Sequence, residues 1–242
     1  MTIYLPELDT DSFTFPPISE ALNEPNGLLA LGGDLKVERL IEAYKHGIFP
    51  WYSSNEPILW WSPTPRAVFI PANFKPSKSL KKFYRKSNYT VSINVNTDRV
   101  IQLCANLRSD EEMWLNPDMQ RAYSRLASLG HCHSVEVWQD RELVGGLYGI
   151  QVGKMFCGES MFSSKTNASK IALWAFCEHF HSFGGELIDC QVLNPHTKSL
   201  GAVELDRDEF LAKLTSLRTQ KVDDVCYQPQ WLDIPSTISN IL

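Results

Sequence analysis

The chain has 242 residues, 43% of them hydrophobic and 21% charged, with a formal net charge of −5 and a pI near 5.7. That length and balance suit one large domain, or one domain with a small companion, and exclude a chain too polar to bury a core. A protein coated in basic charge is excluded as well, although net charge says nothing against a local basic patch. No apolar run is long enough to span a bilayer, and the segment Met1–Asp11 has neither a basic nor an apolar signal region, so a cytoplasmic protein is expected.

Residues 1–63 are punctuated by Pro16-Pro17, Pro25-Asn26-Gly27, Gly32-Gly33, Pro50 and Pro57. Between them one helix is expected from Val37 to Tyr44, closed by Lys45, His46 and Gly47; cations in the last turn and a glycine beyond it stop a helix. The tract has too little apolar periodicity to fold alone, so 1–63 reads as a small α/β module packed on a main domain of residues 64–242.

From Arg66 the pattern turns mixed. Ala67–Ile70 reads as a strand, Ser77–Lys86 as an amphipathic helix and Thr90–Val95 as a strand. One helix should follow Asp98, and another should open at Asn116-Pro117 and end near Gly130. Ser134–Trp138 and Leu143–Tyr148 suggest a hairpin around Asp140-Arg141, its second strand weakened by Gly145 and Gly146. Lys154–Phe162 is a strand and Asn167–His181 a helix stopped by Gly184-Gly185. Leu187–Gln191 is a buried strand and Asp206–Leu217 the last helix. This order predicts an α+β protein with a mixed sheet covered by helices. Its final strand–helix–strand unit resembles the GNAT acyltransferases, which hold coenzyme A pyrophosphate on a glycine-rich turn. Here the turn Ser163–Asn167 has no glycine, so amides cannot approach a pyrophosphate closely and the acyl donor is expected not to be coenzyme A.

Within the apolar run of Leu187–Gln191, two-residue spacing puts Asp189 and Gln191 on one face, with Ile188 and Cys190 on the other. A carboxylate on a buried strand is costly unless it is paired or functional, and both readings stand: a catalytic group, or a structural Asp paired with an arginine. Along Gly158–Ser163, alternation puts Glu159, Met161 and Ser163 on one face, a mostly apolar surface with one polar anchor. The bland counterpart is a strand end with a core Met and a solvated Glu.

Lys75, Lys78, Lys81, Lys82, Arg85 and Lys86 recur at helical spacing with no acid among them, while Leu80, Phe83 and Tyr84 occupy the other side. In an acidic protein such a stripe suits a phosphate backbone, though a solvated lysine-rich helix looks the same. Seven tryptophans include Trp51 and Trp60-Trp61, placed for base stacking or for core packing. The six cysteines lack metal-site spacing and read as small core hydrophobes; His131 and His133 read as a polar strand entry, and no metal is expected.

Taken together, the tracts G-L-L-A-L-G-G-D-L (27–35), A-Y-K-H-G-I-F-P-W (43–51), W-W-S-P-T-P-R (60–66), L-V-G-G-L-Y-G (143–149), G-E-S-M-F-S (158–163), A-S-K-I-A-L (168–173), L-I-D-C-Q (187–191) and H-T-K-S-L-G-A (196–202) resemble the bacterial leucyl/phenylalanyl-tRNA–protein transferases. The resemblance spans most of the chain. It implies transfer of Leu or Phe, and Met less well, from charged tRNA to a protein beginning with Arg or Lys, giving a destabilising N-terminus. It also implies a small N-terminal domain on a GNAT-like catalytic domain, no cofactor, and neither DNA nor membrane as partner; a monomer is expected. Catalysis is assigned to Asp189 and Gln191. The donor aminoacyl group and terminal adenosine are assigned to Trp51, Trp114, Leu147, Phe156, Glu159, Met161, Ser163, Phe176 and Ile188, and the acceptor peptide to Asn194. Leu147 departs from the Met that the family often has there, a small change between two flexible apolar fillers.

On this reading Asp189, through Gln191, helps remove a proton from the attacking amine, while a substrate-assisted route through the ribose hydroxyl stays open. Two rivals remain: a coenzyme A-dependent N-acetyltransferase, and a non-enzymatic RNA-binding protein that would leave Asp189 and Gln191 without a purpose.

Overall fold

A computed structural model describes residues 5–106 and 115–234. Strands β1 (Glu7–Leu8), β2 (Leu28–Gly32), β3 (Phe49–Pro50) and β4 (Leu59–Trp61) form a four-stranded sheet in the order β1-β2-β4-β3. Helix α1 (Val37–Lys45) lies between β2 and β3 in the chain, one residue longer than its pattern predicts. Trp60 is fully buried here, its indole N–H donating to the Gly32 carbonyl (3.0 Å) and Phe15 packed edge-on at 4.9 Å.

The second sheet begins with β5 (Arg66–Phe69), after which come α2 (Lys78–Lys86), β6 (Tyr89–Ile93), α3 (Thr97–Asn106) and α4 (Pro117–Ser128). The strands β7 (Cys132–Gln139), β8 (Glu142–Val152) and β9 (Met155–Ser163) follow as a meander, then α5 (Ala168–Ser182) and β10 (Leu187–Asp189). A short α6 (Pro195–Ser199), β11 (Val203–Leu205), α7 (Arg207–Leu217) and β12 (Gln230–Leu232) complete it. The order is β11-β5-β10-β9-β8-β7-β6-β12, antiparallel except for the β9–β10 pair.

The helix starts follow their residues. Ser77 caps α2 by accepting from the Leu80 amide, and Asn116 caps α4 from the Met119 amide with Pro117 at the first position. Asp140 and Arg141 both take positive φ (51° and 70°), as a two-residue type I′ hairpin turn requires. The predicted weakness of β8 at Gly145 and Gly146 is not found; the strand runs through both. A Cβ on Gly145 would stand 2.4 Å from the Cβ of Ala168, and one on Gly146 would stand 2.6 Å from the Val135 carbonyl, so absent side chains let α5 and β7 press against the strand. Gly145→Ala is expected to destabilise the fold by about 1–3 kcal/mol through overpacking, read as a lower denaturation midpoint.

The core has two layers. On one face of the large sheet, α3, α4 and α7 pack together with α1 and the small sheet in one continuous apolar cluster. On the other, α2 and the almost fully buried α5 cover the sheet. The N-terminal tract thus shares its core with the main sheet, as its weak periodicity implies. Five of the six cysteines are buried, and His133 stacks on Tyr227 (3.8 Å) while its Nδ1 meets the Asn94 amide at 2.8 Å. Among the described residues no helix is long and apolar enough to cross a membrane.

Candidate active site

Parallel pairing of β10 with β9 stops after three residues, at Asp189 opposite Cys157, while β9 runs on to Ser163 beside β8 alone. The two strands part, and a cavity of about 1030 Å³ opens at the gap. Its floor is apolar, formed by Leu147, Phe156, Met161, Phe176 and Ile188, with Phe156 and Phe176 at 4.4 Å between ring centroids. Toward the mouth stand Trp51 and Trp61, 5.6 Å apart, from the small sheet and the loop beside it. The polar residues facing inward include Glu159 and Gln191.

Two expectations about strand faces are corrected here. The β8–β9 register shifts between Tyr148 opposite Ser160 and Gly149 opposite Gly158, so Glu159 is the extra residue of a bulge. Alternation is therefore broken: Glu159 hydrogen-bonds to Tyr123 of α4, Met161 packs with the α5-side core, and Ser163 lies exposed outside the cavity. The Ser163 hydroxyl donates to the Lys165 carbonyl and accepts from the Ser169 amide at the start of α5.

The second correction concerns Asp189 and Gln191. Strand β10 ends at Asp189, and Gln191 has φ of 65°, a left-handed conformation uncommon for a side-chain-bearing residue. The turn is held by the Gln191 backbone N–H, which donates to Asp189 Oδ1 (2.9 Å). The two side chains diverge. Gln191 enters the cavity, whereas Asp189 is buried completely behind it.

Asp189 is met by Arg66 of β5, whose Nε donates to Oδ1 (2.8 Å) and Nη2 to Oδ2 (2.7 Å) in a two-pronged pair. The remaining Nη1 donates to the Gly47 carbonyl (3.0 Å), and the guanidinium lies between the rings of Phe49 (4.9 Å) and Phe210 (4.7 Å). Burial works against the Arg66 charge, but the carboxylate outweighs it and raises the pKa. The arginine-paired alternative for Asp189 is thus what the geometry contains, and Arg66 is the partner.

Glu159 is 7% exposed. Its Oε1 accepts from Gln191 Nε2 (2.9 Å) and its Oε2 from the Tyr123 hydroxyl (2.6 Å), which lies 2.7 Å from the Tyr44 hydroxyl. Burial pushes its pKa from 4.5 to about 7; the phenols of Tyr123 and Tyr44 pull it down, the Asp189 charge adds to the rise, and Arg66 opposes it. Of the residues expected at the site, Trp51, Leu147, Phe156, Glu159, Met161, Phe176, Ile188, Gln191 and Asn194 line the cavity. Trp114 falls outside the described residues. Sequence reasoning missed Arg66, Tyr44 and Tyr123; a buried aspartate does call for a cation, but nothing local says which.

The basic residues sit on and before α2. Lys75, Lys78, Lys82, Arg85 and Lys86 are exposed and Lys81 is half-buried, while Leu80 is in the core and Tyr84 packs edge-on to Trp174 of α5 at 5.6 Å. Among the described residues none of these six cations forms an ion pair.

An apolar cavity ending in a carboxylate near neutral pKa beside a carboxamide suits an enzyme that transfers an acyl group to an amine. Comparison with known proteins narrows the class. Residues 33–64 match the leucyl/phenylalanyl-tRNA protein transferase N-terminal domain, and residues 68–215 match leucyl/phenylalanyl-tRNA protein transferase. The leucyl/phenylalanyl-tRNA–protein transferase of Vibrio atlanticus (strain LGP32) is 68% identical over 232 residues, covering 96% of this chain and 98% of that protein. The enzyme of the same name from Vibrio cholerae serotype O1 (Classical Ogawa 395) is 58% identical over 237 residues, 98% of each. A solved conserved protein from Bacteroides thetaiotaomicron aligns with TM-score 0.39 at 13% identity, over 69% of this chain and 58% of that one. The chain belongs to the leucyl/phenylalanyl-tRNA–protein transferase family and is an aminoacyltransferase.

Proposed function

We propose that the protein transfers Leu or Phe, and Met less well, from charged tRNA to the N-terminal Arg or Lys of acceptor proteins, forming a peptide bond and an N-terminal degradation signal. The observation that carries this reading is the single cavity in which an apolar floor meets the Glu159–Gln191 pair. Leu147, Phe156, Met161, Phe176 and Ile188 would hold an unbranched-at-Cβ apolar side chain, an arrangement able to discriminate by about 1–3 kcal/mol per misfitting methylene. Trp51 offers a ring for the terminal adenine, and Asn194 a polar contact for the acceptor.

The acceptor α-amine has an unperturbed pKa of roughly 7.7–8.0, so near neutrality much of it is protonated and cannot attack. Among the described residues nothing occupies Oε1 of Gln191, which can accept an N–H of the incoming amine while Nε2 stays on Glu159. As the amine nitrogen bonds to the ester carbonyl carbon, its proton passes to Gln191 Oε1 while Gln191 Nε2 gives its own to Glu159. The C–O bond to the ribose then breaks and the ribose oxygen takes up the proton that Glu159 received, returned across the same carboxamide. The ester supplies the driving force, so no nucleotide hydrolysis is needed. Asp189 acts one step back: clamped by Arg66, it fixes the Gln191 backbone and so aims the carboxamide.

Lys75, Lys78, Lys81, Lys82, Arg85 and Lys86 would follow the tRNA backbone with little sequence readout. Reversing Lys78, Lys82 and Arg85 to Glu is expected to weaken all charged tRNAs alike and to flatten the dependence of log K on log[salt], measured by filter binding. We treat residues 1–63 and 64–242 as two domains of a monomeric cytoplasmic enzyme. The splayed β9–β10 pair supports a GNAT-like arrangement of the second. The deciding experiment supplies labelled Phe-tRNA and a peptide beginning with Arg, beside one beginning with Ala. Transfer to the Arg peptide alone is the expected result, and equal transfer to both would overturn the acceptor assignment.

A further inference from the structure

At the cavity wall the Glu159 carboxylate joins a chain of hydrogen bonds that starts in another part of the fold. Tyr44 lies in the last turn of α1, Tyr123 in the second turn of α4, and Glu159 on the bulge of β9. The phenols are 2% and 0% exposed. When Glu159 is ionised it only accepts, so Tyr123 donates to it and the Tyr123 oxygen is then the acceptor for the Tyr44 hydroxyl. The Tyr123 ring is itself located by Tyr148 of β8, edge-on at 5.5 Å, and Tyr148 lines the cavity. A bulge residue has no ladder partner to fix its direction, so these two side chains, with Gln191, supply what the strand does not.

We propose that the buried pair Tyr44–Tyr123 is a positioning device for the transfer step, holding the Glu159 carboxylate against Gln191 and favouring its ionised form. The inference rests on the reading of Glu159 as proton acceptor. Phenol hydrogen bonds to an ionised carboxylate are stronger than those to its neutral form, so they oppose the burial that disfavours ionisation. The other titratable and charged groups facing Glu159 are Asp189, Arg66, Cys132 and Cys157. Burial raises both thiols well above their ordinary value, so they stay neutral, and Asp189 is tied to Arg66; the two phenols are what a conservative substitution can remove.

The test has two readings in the full-length enzyme. In Tyr123→Phe the acid limb of the single-turnover rate is expected to move up by about one pH unit or more, with the rate recovering at high pH, because the lost donor is worth at least that in proton affinity. Tyr44→Phe should move it by less, in the same direction. A role confined to packing would instead lower the rate equally at every pH. The second reading is the Glu159 ionisation midpoint, taken by isotope-edited infrared difference between wild type and Glu159→Gln, and repeated in each Phe background. A midpoint that rises in both variants supports the proposal; one unmoved in either variant that remains folded overturns it. This midpoint is read without substrate, so it stands apart from the activity of Glu159→Gln, which decides whether Glu159 is the proton acceptor. Should Tyr123→Phe fail to fold, Tyr44→Phe, one bond further from the carboxylate, gives the same decision.

Discussion

Glu159→Gln is expected to slow single-turnover peptide-bond formation by roughly 10²–10⁴ and to abolish the acid limb near neutrality. The amide is nearly the same size and can still accept one hydrogen bond, so Gln191 and Tyr123 need not move far, yet it takes no proton. The loss should fall on the chemical step with donor binding little changed, since the apolar side chains of the cavity floor are unaltered by the substitution. A variant with the wild-type rate across pH 6 to 9 would remove Glu159 as proton acceptor. The same substitution has an opposite effect on stability. The folded-state pKa is raised from 4.5 to about 7, so the folded protein binds the proton more tightly than the unfolded chain. That stabilisation is fully present below about pH 4.5 and is lost as pH rises through 7, a difference on the order of 3 kcal/mol. Thermal melts of wild type and Glu159→Gln should therefore diverge in the variant's favour as pH is raised from 5 to 8.

The second large effect concerns the Arg66–Asp189 pair. Removing one partner, as in Asp189→Asn, leaves a charged guanidinium buried between Phe49 and Phe210 without its anion, at a cost of about 3–5 kcal/mol. Replacing both, as Arg66→Met with Asp189→Leu, removes the two charges together and should recover most of the stability, because buried pairs gain little over well-packed apolar groups. Activity should not return. The double variant still lacks the acceptor for the Gln191 amide, and a reacting group displaced by about 1 Å can cost on the order of 10²-fold in rate. Denaturation midpoints and single-turnover rates on the same three proteins test this. If rate follows stability back to the wild-type level, Asp189 has no part in aiming Gln191.

Local pattern carries most of the fold. Helix α4 announces itself through Asn116 and Pro117, the β7–β8 hairpin through Asp140-Arg141 and alternation, and α1 through its closing cations and glycine. The faces of β9 and β10 do not announce themselves. A bulge adds one residue to one strand relative to its neighbour, and Glu159 looks like any alternating position until β8 is laid beside it. Gln191 turns left-handed without being a glycine, which the residue type gives no reason to expect. The groups that brace the site are 123 residues apart in the case of Arg66 and Asp189, and 79 in the case of Tyr44 and Tyr123. Periodicity has no reach over such separations. The family resemblance names Gln191 and Glu159 as site residues, but the clamp behind Asp189 belongs to three-dimensional packing.

The turn at the end of α1 touches both arms of the site from behind: Tyr44 through Tyr123 to Glu159, and the Gly47 carbonyl through Arg66 to Asp189. Two residues of the small module, Tyr44 and Gly47, thus hold the two carboxylates in register from a single foothold. A main domain expressed without residues 1–63 would lose that foothold on both sides at once, so mixing the two fragments should restore transfer only to the extent that they reassemble. Substitutions on the outer surface of residues 1–63 should accordingly cost far less transfer activity than substitutions in the short stretch from Tyr44 to Gly47.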